Sequence, residues 1–418
     1  MGRERRLILD SLMLGVVGAL GAQLFTHLLH LCEAIFLRGI AHYRPPGLPD
    51  EGGVLKELIG PHGLWLIPLA TTLGGLISGL LVYTWAPEAE GHGTDTAVRA
   101  FHRTGGFIRA RVTPLKMVAS AITIGSGGAA GREGPTALIS AGIGSIYATL
   151  TRRRDEERRL LVLIGMAAGL SAIFRSPIGT ALFAIEVLYG NMELEAGALV
   201  YTMLASVVAF VLNGLFVGWA PLFRIPAGLG MPEAAAYGWY VALGIASGLL
   251  GVLLPLVFYG MRDAFHRLPM PPHLKPALGG LGVGLLALAL PQVLGGGYGW
   301  IQEAIDGRLA WRLLLVLVFA KMVAFALTVS SGGSGGVFAP SLYVGGMLGG
   351  LLAALFHQPP AAFVVVGMAS TFGAAARVPI ATLLMVTEMT GGYQLLVPAG
   401  LAVTLSYSLQ GALSKRLR

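Results

Sequence analysis

The chain has one cysteine, Cys32, so it can form no internal disulfide and no cysteine-based metal site. Charge is scarce too. Asp, Glu, Lys and Arg together make up 12% of the 418 residues, against about a quarter in soluble domains. No long polar segment departs from the apolar background, which leaves no soluble domain visible. No P-loop, dinucleotide fingerprint or nucleophile motif is present. The N-terminus carries charges and then an apolar run without a small-residue cleavage site, which predicts an uncleaved first helix. Hydrophobic residues make up 55% of the chain and its mean hydropathy is +0.73, the values of an integral, multi-pass membrane protein.

The net charge of +8 is not spread along a groove. It gathers at Arg3, Arg5 and Arg6, at Arg152 to Arg154 with Arg158 and Arg159, and at Lys415, Arg416 and Arg418. These are juxtamembrane anchors rather than a nucleic-acid surface, so no nucleic-acid partner is expected and the bilayer is. Basic residues at both ends place both termini in the cytoplasm and predict an even number of crossings. The middle cluster is diluted by Asp155, Glu156 and Glu157 and is not assigned a side. Compact size without a targeting signal points to a prokaryotic inner membrane.

Glycine is abundant, with 61 residues, as suits helices whose backbones approach closely. Apolar stretches of spanning length lie at about 8–38, 63–86, 114–150, 160–190, 197–219, 236–260, 275–295, 311–330, 341–356, 361–390 and 394–412. Pro68, Pro114, Pro177, Pro255, Pro379 and Pro398 fall inside them, which predicts helices of uneven length, some stopping at membrane depth. Such breaks are tolerated only beside protein or a water-filled cavity. Ala41 to Gly60 and Pro269 to Pro276 read as surface loops, and Gly295 to Gly299 as another glycine-rich break.

The strongest break is GSGGAAGREGPT, Gly125 to Thr136. Its glycines permit tight turns, and Pro135 suits the first turn of a new helix. A helix start after such a loop favours an anion. Glu133 would either fill that position or swing away from it. A bland glycine-rich packing seam fits the same residues.

An internal repeat weighs against the bland reading. KMVASAITIGSGG from Lys116 matches KMVAFALTVSSGG from Lys321, an offset of 205. The match runs on through SGGAAGREGPT and SGGSGGVFAPS, so that Gly131 answers Gly336, Glu133 answers Phe338 and Pro135 answers Pro340. After a three-residue deletion, Pro177, Thr180 and Glu186 answer Pro379, Thr382 and Glu388. Paired breaks in two halves point to a substrate site at their interface, the architecture of a transporter or channel.

Glu133 is the candidate gate, because an ionisable group inside a membrane is costly and usually functional. Arg132 and Lys116 either supply positive field or snorkel to an interface. At the partner break, the N–H groups of Val337 and Phe338 and a ring edge would face the ion. EGHGTD, Glu90 to Asp95, reads as a third break, with Thr94 or Asp95 capping a new helix and His92 aimed at the site or satisfied within its loop. Glu186 and Glu388 read as carboxylates bonded to neighbouring backbone rather than as an ion path. His27 and His30 read as packing residues.

With these residues in place, the chain resembles the CLC family of chloride channels and transporters. GREGP at Gly131 to Pro135 is similar to that family's gating-glutamate motif, and GVFAP at Gly336 to Pro340 to its partner motif. EGHGTD stands where the family usually has GSGIP. The resemblance implies an all-α polytopic membrane protein of CLC type, one transport domain over 1–418 built from two inverted-topology repeats of broken, tilted helices, about 8–225 and about 232–418. It implies a homodimer with one anion pathway per subunit, Glu133 as external gate and chloride as the bound ion, with no cofactor and no metal. Carried over, the anion-binding positions are His92, Gly93, Arg132, Gly134, Gly336, Val337, Phe338 and Ala339. Lys116, Glu186, Val187, Pro135 and Pro340 are field or structural positions.

Three departures bear on mechanism. His92 and Asp95 replace the family's site serine and proline. Val187 stands where proton-coupled members carry an inner glutamate. The helix bearing the family's pore tyrosine would lie beyond Gln410, and Tyr407 comes too early to replace it. The expectation is anion conduction weakly coupled or uncoupled to protons, with a coupled chloride/proton antiporter as the alternative. An intramembrane enzyme using Glu133 and His92, or a scaffold, is a remote alternative, since neither a nucleophile nor a metal set accompanies them.

Overall fold

The computed structural model describes residues 2–49, 53–189 and 196–416. Arg418 of the basic tail, residues 50–52 of the surface loop and residue 190 of one apolar stretch lie outside the described residues.

Sixteen α-helices are present among the described residues, eight in each half of the chain. The first half runs α1 (Arg3–Glu33), α2 (Ile67–Trp85), α3 (Thr94–Arg103), α4 (Val112–Gly125), α5 (Glu133–Leu150), α6 (Asp155–Phe174), α7 (Pro177–Tyr189) and α8 (Ala196–Val217). The second runs α9 (Tyr237–Arg267), α10 (Lys275–Ala289), α11 (Tyr298–Ile305), α12 (Trp311–Ser330), α13 (Phe338–Phe356), α14 (Pro360–Ala376), α15 (Pro379–Thr390) and α16 (Leu396–Arg416). The halves correspond helix by helix, beginning with α1 and α9 at 31 residues each. The loop after α1 carries a short antiparallel pairing of Tyr43 with Ile59 and Arg44 with Leu58.

Helix lengths follow the sequence breaks. Seven stretches among the described residues are long and apolar enough to cross a membrane, while α4, α7, α14 and α15 belong to the shorter apolar class. α4 stops at Gly125, where the glycine-rich loop begins, and α5 starts at Glu133 with Pro135 in its first turn. α12 and α13 repeat the arrangement around Ser330, Phe338 and Pro340. α6 and α14 both end on a left-handed arginine, Arg175 (φ 54°) and Arg377 (φ 58°), each two residues before a proline that starts the next helix.

The core is central and made of α5, α6, α13 and α14. Every residue of α6 from Leu161 to Phe174 and of α14 from Ala361 to Ala374 is buried. In lipid, packing rather than water exclusion holds helices together, and it needs small residues at the seams. Gly144 of α5 lies on the Leu161 carbonyl of α6, and its repeat partner Gly349 of α13 lies on the Phe363 carbonyl of α14. A methyl at either position would strike that oxygen.

The middle basic cluster finds its side through ion pairs. Arg6 at the start of α1 bonds Glu157 of α6 at 2.8 Å, and Arg153 bonds Asp10 of α1 at 2.9 Å. The N-terminal arginines and the cluster before α6 therefore share one face of the bundle.

Candidate functional site

The two broken loops meet in the middle of the molecule. Gly131 N donates to Gly336 O at 2.8 Å and Gly336 N donates to Gly131 O at 2.7 Å. Residues in equivalent repeat positions thus exchange both backbone hydrogen bonds, the pattern of a narrow antiparallel pair and of a local two-fold axis. Only glycine fits. A methyl at Gly336 would come within 2.8 Å of Gly131 O and of Gly134 N, and one at Gly131 would strike the Glu133 carboxylate. Gly335 N donates to Gly91 O, and Ser120 Oγ lies 2.8 Å from Ser334 Oγ, so the α3 loop joins the same seam.

Four helices begin here: α3 and α5 from one half, α11 and α13 from the other. The first turn of a helix has N–H groups without intrahelical acceptors, which makes it a site for anions. α5 offers Glu133 and Gly134, and α13 offers Phe338 and Ala339, before a proline in each case. Arg132 and Val337 precede these starts as N-cap residues.

Two buried lysines hold the other pair of starts. Lys116 Nζ of α4 donates to Ala89 O (3.0 Å) and Gly91 O (2.6 Å), fixing the turn before α3. Lys321 Nζ of α12 donates to Val293 O (2.7 Å) and Gly295 O (2.6 Å), fixing the turn before α11. Both lysines are fully buried, so Lys116 does not snorkel to an interface. The turns they hold also match, with positive φ at Gly91 and Gly93 and again at Gly295 and Gly297.

Glu133 is fully buried, and its Oε1 accepts a hydrogen bond from the Tyr298 hydroxyl at the start of α11. Its Oε2 lies over Gly131, beside the start of α13. Arg132 stacks its guanidinium over the Tyr298 ring, 5.4 Å from the centroid. Phe338 stands in an aromatic cluster with Phe372 (5.0 Å), Phe183 (5.1 Å) and Phe174 (6.4 Å). A cavity of about 350 Å³ opens beside this centre; Arg132, Tyr298, Gly296, Arg38 and Arg44 are among its lining residues.

The remaining sequence candidates lie at α3, α7 and α16. Gly93 is the N-cap of α3, with φ 90° and no side-chain cap bond; this corrects the expectation that Thr94 or Asp95 caps the helix. The reason is geometric, since the turn needs positive φ and only glycine adopts it freely. Asp95 instead bonds the His92 ring, at 2.8 Å from Nε2. Glu186 accepts from Ile380 N and Ala381 N of α15, as a carboxylate bonded to backbone. Val187 is half-buried against the core. Tyr407 sits on α16, where the Arg377 guanidinium stacks on its ring at 5.2 Å.

Sequence reading missed α11 and Tyr298, having taken Gly295 to Gly299 as a plain break. The signal was there: GGGYG from Gly295 answers GHGTD from Gly91, so Tyr298 answers Thr94.

Residues 74–411 match the model of the family described as voltage gated chloride channel. A ClcB voltage-gated ClC-type chloride channel of Salmonella typhimurium is 32% identical over 403 residues, 94% of this chain and 92% of its own length. Its counterpart in Escherichia coli O9:H4 is 31% identical over 402 residues, again 94% of this chain and 92% of that one. Among solved structures, a slow cyanobacterial Cl-/H+ antiporter superposes with a TM-score of 0.83 at 24% identity, over 97% of this chain and 93% of that one. A CLC-type fluoride/proton antiporter gives a TM-score of 0.83 at 24% identity, over 99% of this chain and 97% of that one.

Proposed function

Because the chain belongs to the voltage gated chloride channel family, we propose that it conducts chloride across a membrane along a path gated by Glu133, weakly coupled or uncoupled to protons. The observation that carries this reading is the seat of Glu133. Its carboxylate lies between the starts of α5 and α13, at the pairing of Gly131 with Gly336. A chloride ion entering that seat would replace its hydration shell by backbone N–H groups of Gly134, Phe338 and Ala339, with Lys116 and Arg132 supplying field. The carboxylate and chloride then compete for one position, and protonating Glu133 frees it for the ion.

Weak coupling is supported by Val187, an apolar side chain that cannot relay a proton along α7. Coupled antiport is the second reading, favoured by the likeness in fold to two proton-coupled antiporters. Within either reading the chain acts as a single transport unit without a cofactor or enzymatic step. It assembles as a homodimer and lies in a prokaryotic inner membrane with both termini cytoplasmic. The shared face of the N-terminal arginines and the cluster before α6 supports that orientation.

The test is chloride efflux from proteoliposomes with simultaneous recording of external pH, for wild type and Glu133→Gln. Fast chloride efflux without proton movement is the expected result. Uphill proton movement driven by a chloride gradient, abolished by Glu133→Gln, would establish the antiporter instead. Absence of chloride flux in both proteins would remove the transport reading.

A further inference from the structure

Tyr298 belongs to neither sequence motif, yet its hydroxyl bonds the gate. It opens α11 directly after Gly297, whose φ of 80° turns the chain inward, and Lys321 holds that turn by its bonds to Val293 O and Gly295 O. The ring is held by Phe223, at 5.8 Å between centroids, and by the Arg132 guanidinium stacked over it. A side chain at Gly297 would run into the Tyr343 ring, so the backbone before Tyr298 packs directly on that ring. The phenol is thus positioned before it meets its acceptor, and the hydroxyl donates to Glu133 Oε1.

That bond is placed to act on gating. Hydrogen bonds to an ionised acceptor are about twice as strong as neutral ones and favour the charged form. The charged groups around the gate come from several elements: His30 and Arg44 line the cavity beside Arg132 and Tyr298, and Arg38 there pairs with Glu33 at the end of α1. Lys116 of α4 and Lys321 of α12 hold carbonyls, Arg132 stacks on the phenol, His92 before α3 bonds Asp95, and Glu303 of α11 bonds Arg308. α6 and α13 bring no charged side chain from their buried stretches, α13 facing the gate with Phe338 and Ala339. In the other half of the repeat the position of Tyr298 is Thr94, and the position of Glu133 is Phe338. The phenol–carboxylate pair therefore exists on one side of the two-fold axis.

We propose that Tyr298 is a positioning residue for the gate: its hydroxyl fastens the ionised Glu133 carboxylate in the seat between α5 and α13 and sets the acidity at which that seat is vacated. The proposal rests on Glu133 being the gate.

The experiment compares chloride efflux from proteoliposomes across acid to mildly alkaline pH for full-length wild type, Tyr298→Phe, Glu133→Gln and the double variant. Tyr298→Phe removes one oxygen and keeps the ring under Arg132. The expected result is neutral-pH efflux about tenfold above wild type, the weight of one hydrogen bond to a charged group. Its rise on acidification begins at a higher pH, its acid-limit rate equals that of wild type, and the double variant matches Glu133→Gln alone. A Tyr298→Phe profile that overlays wild type, while Glu133→Gln differs, overturns the fastening role and leaves the gate standing. Efflux lost at every pH makes the hydroxyl necessary for folding or conduction itself and overturns the fastening role as well. An unchanged profile in Glu133→Gln removes the gate itself.

Discussion

Glu186 and Glu388 cap each other's helices. Glu186, in the last turn of α7, accepts from Ile380 N and Ala381 N at the start of α15. Glu388, in the last turn of α15, accepts from Ser176 Oγ, Ile178 N and Gly179 N at the start of α7. Each carboxylate supplies the acceptor that a helix start lacks, and each meets the positive end of the partner helix's dipole. The pair locks the two repeats together away from the Gly131–Gly336 seam.

Glu388→Ala is expected to lower stability by about 2 to 3 kcal/mol, since it strands the donors of the buried Ser176 and Gly179. Glu388→Gln keeps one acceptor oxygen and is expected to cost about half as much. Thermal unfolding of the detergent-solubilised protein, followed by tryptophan fluorescence, measures both. Equal melting temperatures for wild type and Glu388→Ala would show that the cap contributes nothing.

Lys321→Met takes the lysine donor from Val293 O and Gly295 O, whereas in Lys116→Met the Ala89 and Gly91 carbonyls keep Ser334 Oγ and Gly335 N as donors. An unsatisfied buried group costs about 1 to 3 kcal/mol, so Lys321→Met is expected to lose more stability than Lys116→Met, and each loosens one turn. The two losses differ in consequence. Lys321→Met loosens the turn that carries Tyr298 and is expected to change the pH profile of chloride efflux. Lys116→Met acts on the α3 start and is expected to lower the rate at every pH, and identical profiles for the two would contradict the assignment.

Gly336→Ala is expected to abolish chloride efflux. Its methyl would come within 2.8 Å of Gly131 O and Gly134 N, backbone atoms that cannot move aside without parting the two loops. Overpacking of this kind costs about 1 to 3 kcal/mol, so the protein should still fold and elute as a single species by size exclusion. Wild-type flux in this variant would show that the seam is not needed.

Arg153→Met leaves Asp10, 3% exposed, as a buried charge whose guanidinium partner is gone. Removing one member of such a pair typically costs about 3 kcal/mol or more. Asp10→Asn combined with Arg153→Met should recover part of the loss, because no charge remains to be solvated. A double variant less stable than the sum of the singles, by denaturant or thermal unfolding, would contradict this account.

The breaks and the duplication were legible because they are written in residue types with strong local meaning. Glycine before Glu133 and proline two positions after it fix a loop and a helix start, and the same letters recur at Gly336 and Pro340. α11 was not legible. Eight residues are too few for apolar periodicity to register, and its glycines looked like loop. The reciprocal capping by Glu186 and Glu388 was half visible: their backbone-bonding role could be read from their place at helix ends, but not that each serves the other half. The cap of α3 was misread because Thr94 and Asp95 are the usual capping types, whereas the turn demanded the dihedral angle of Gly93. Tertiary contact, absent from any local window, decided each of these.

The pairing of Gly131 with Gly336 uses backbone atoms alone, and so it is indifferent to what the chain carries two positions further on. One side carries Glu133, the other Phe338. A scaffold made of two like halves around a two-fold axis has no inherent front or back, and exchanging the halves would leave it the same. The carboxylate on one side and the phenyl ring on the other remove that equivalence. What tells the two sides of the seam apart is a pair of side chains, not the backbone that holds them.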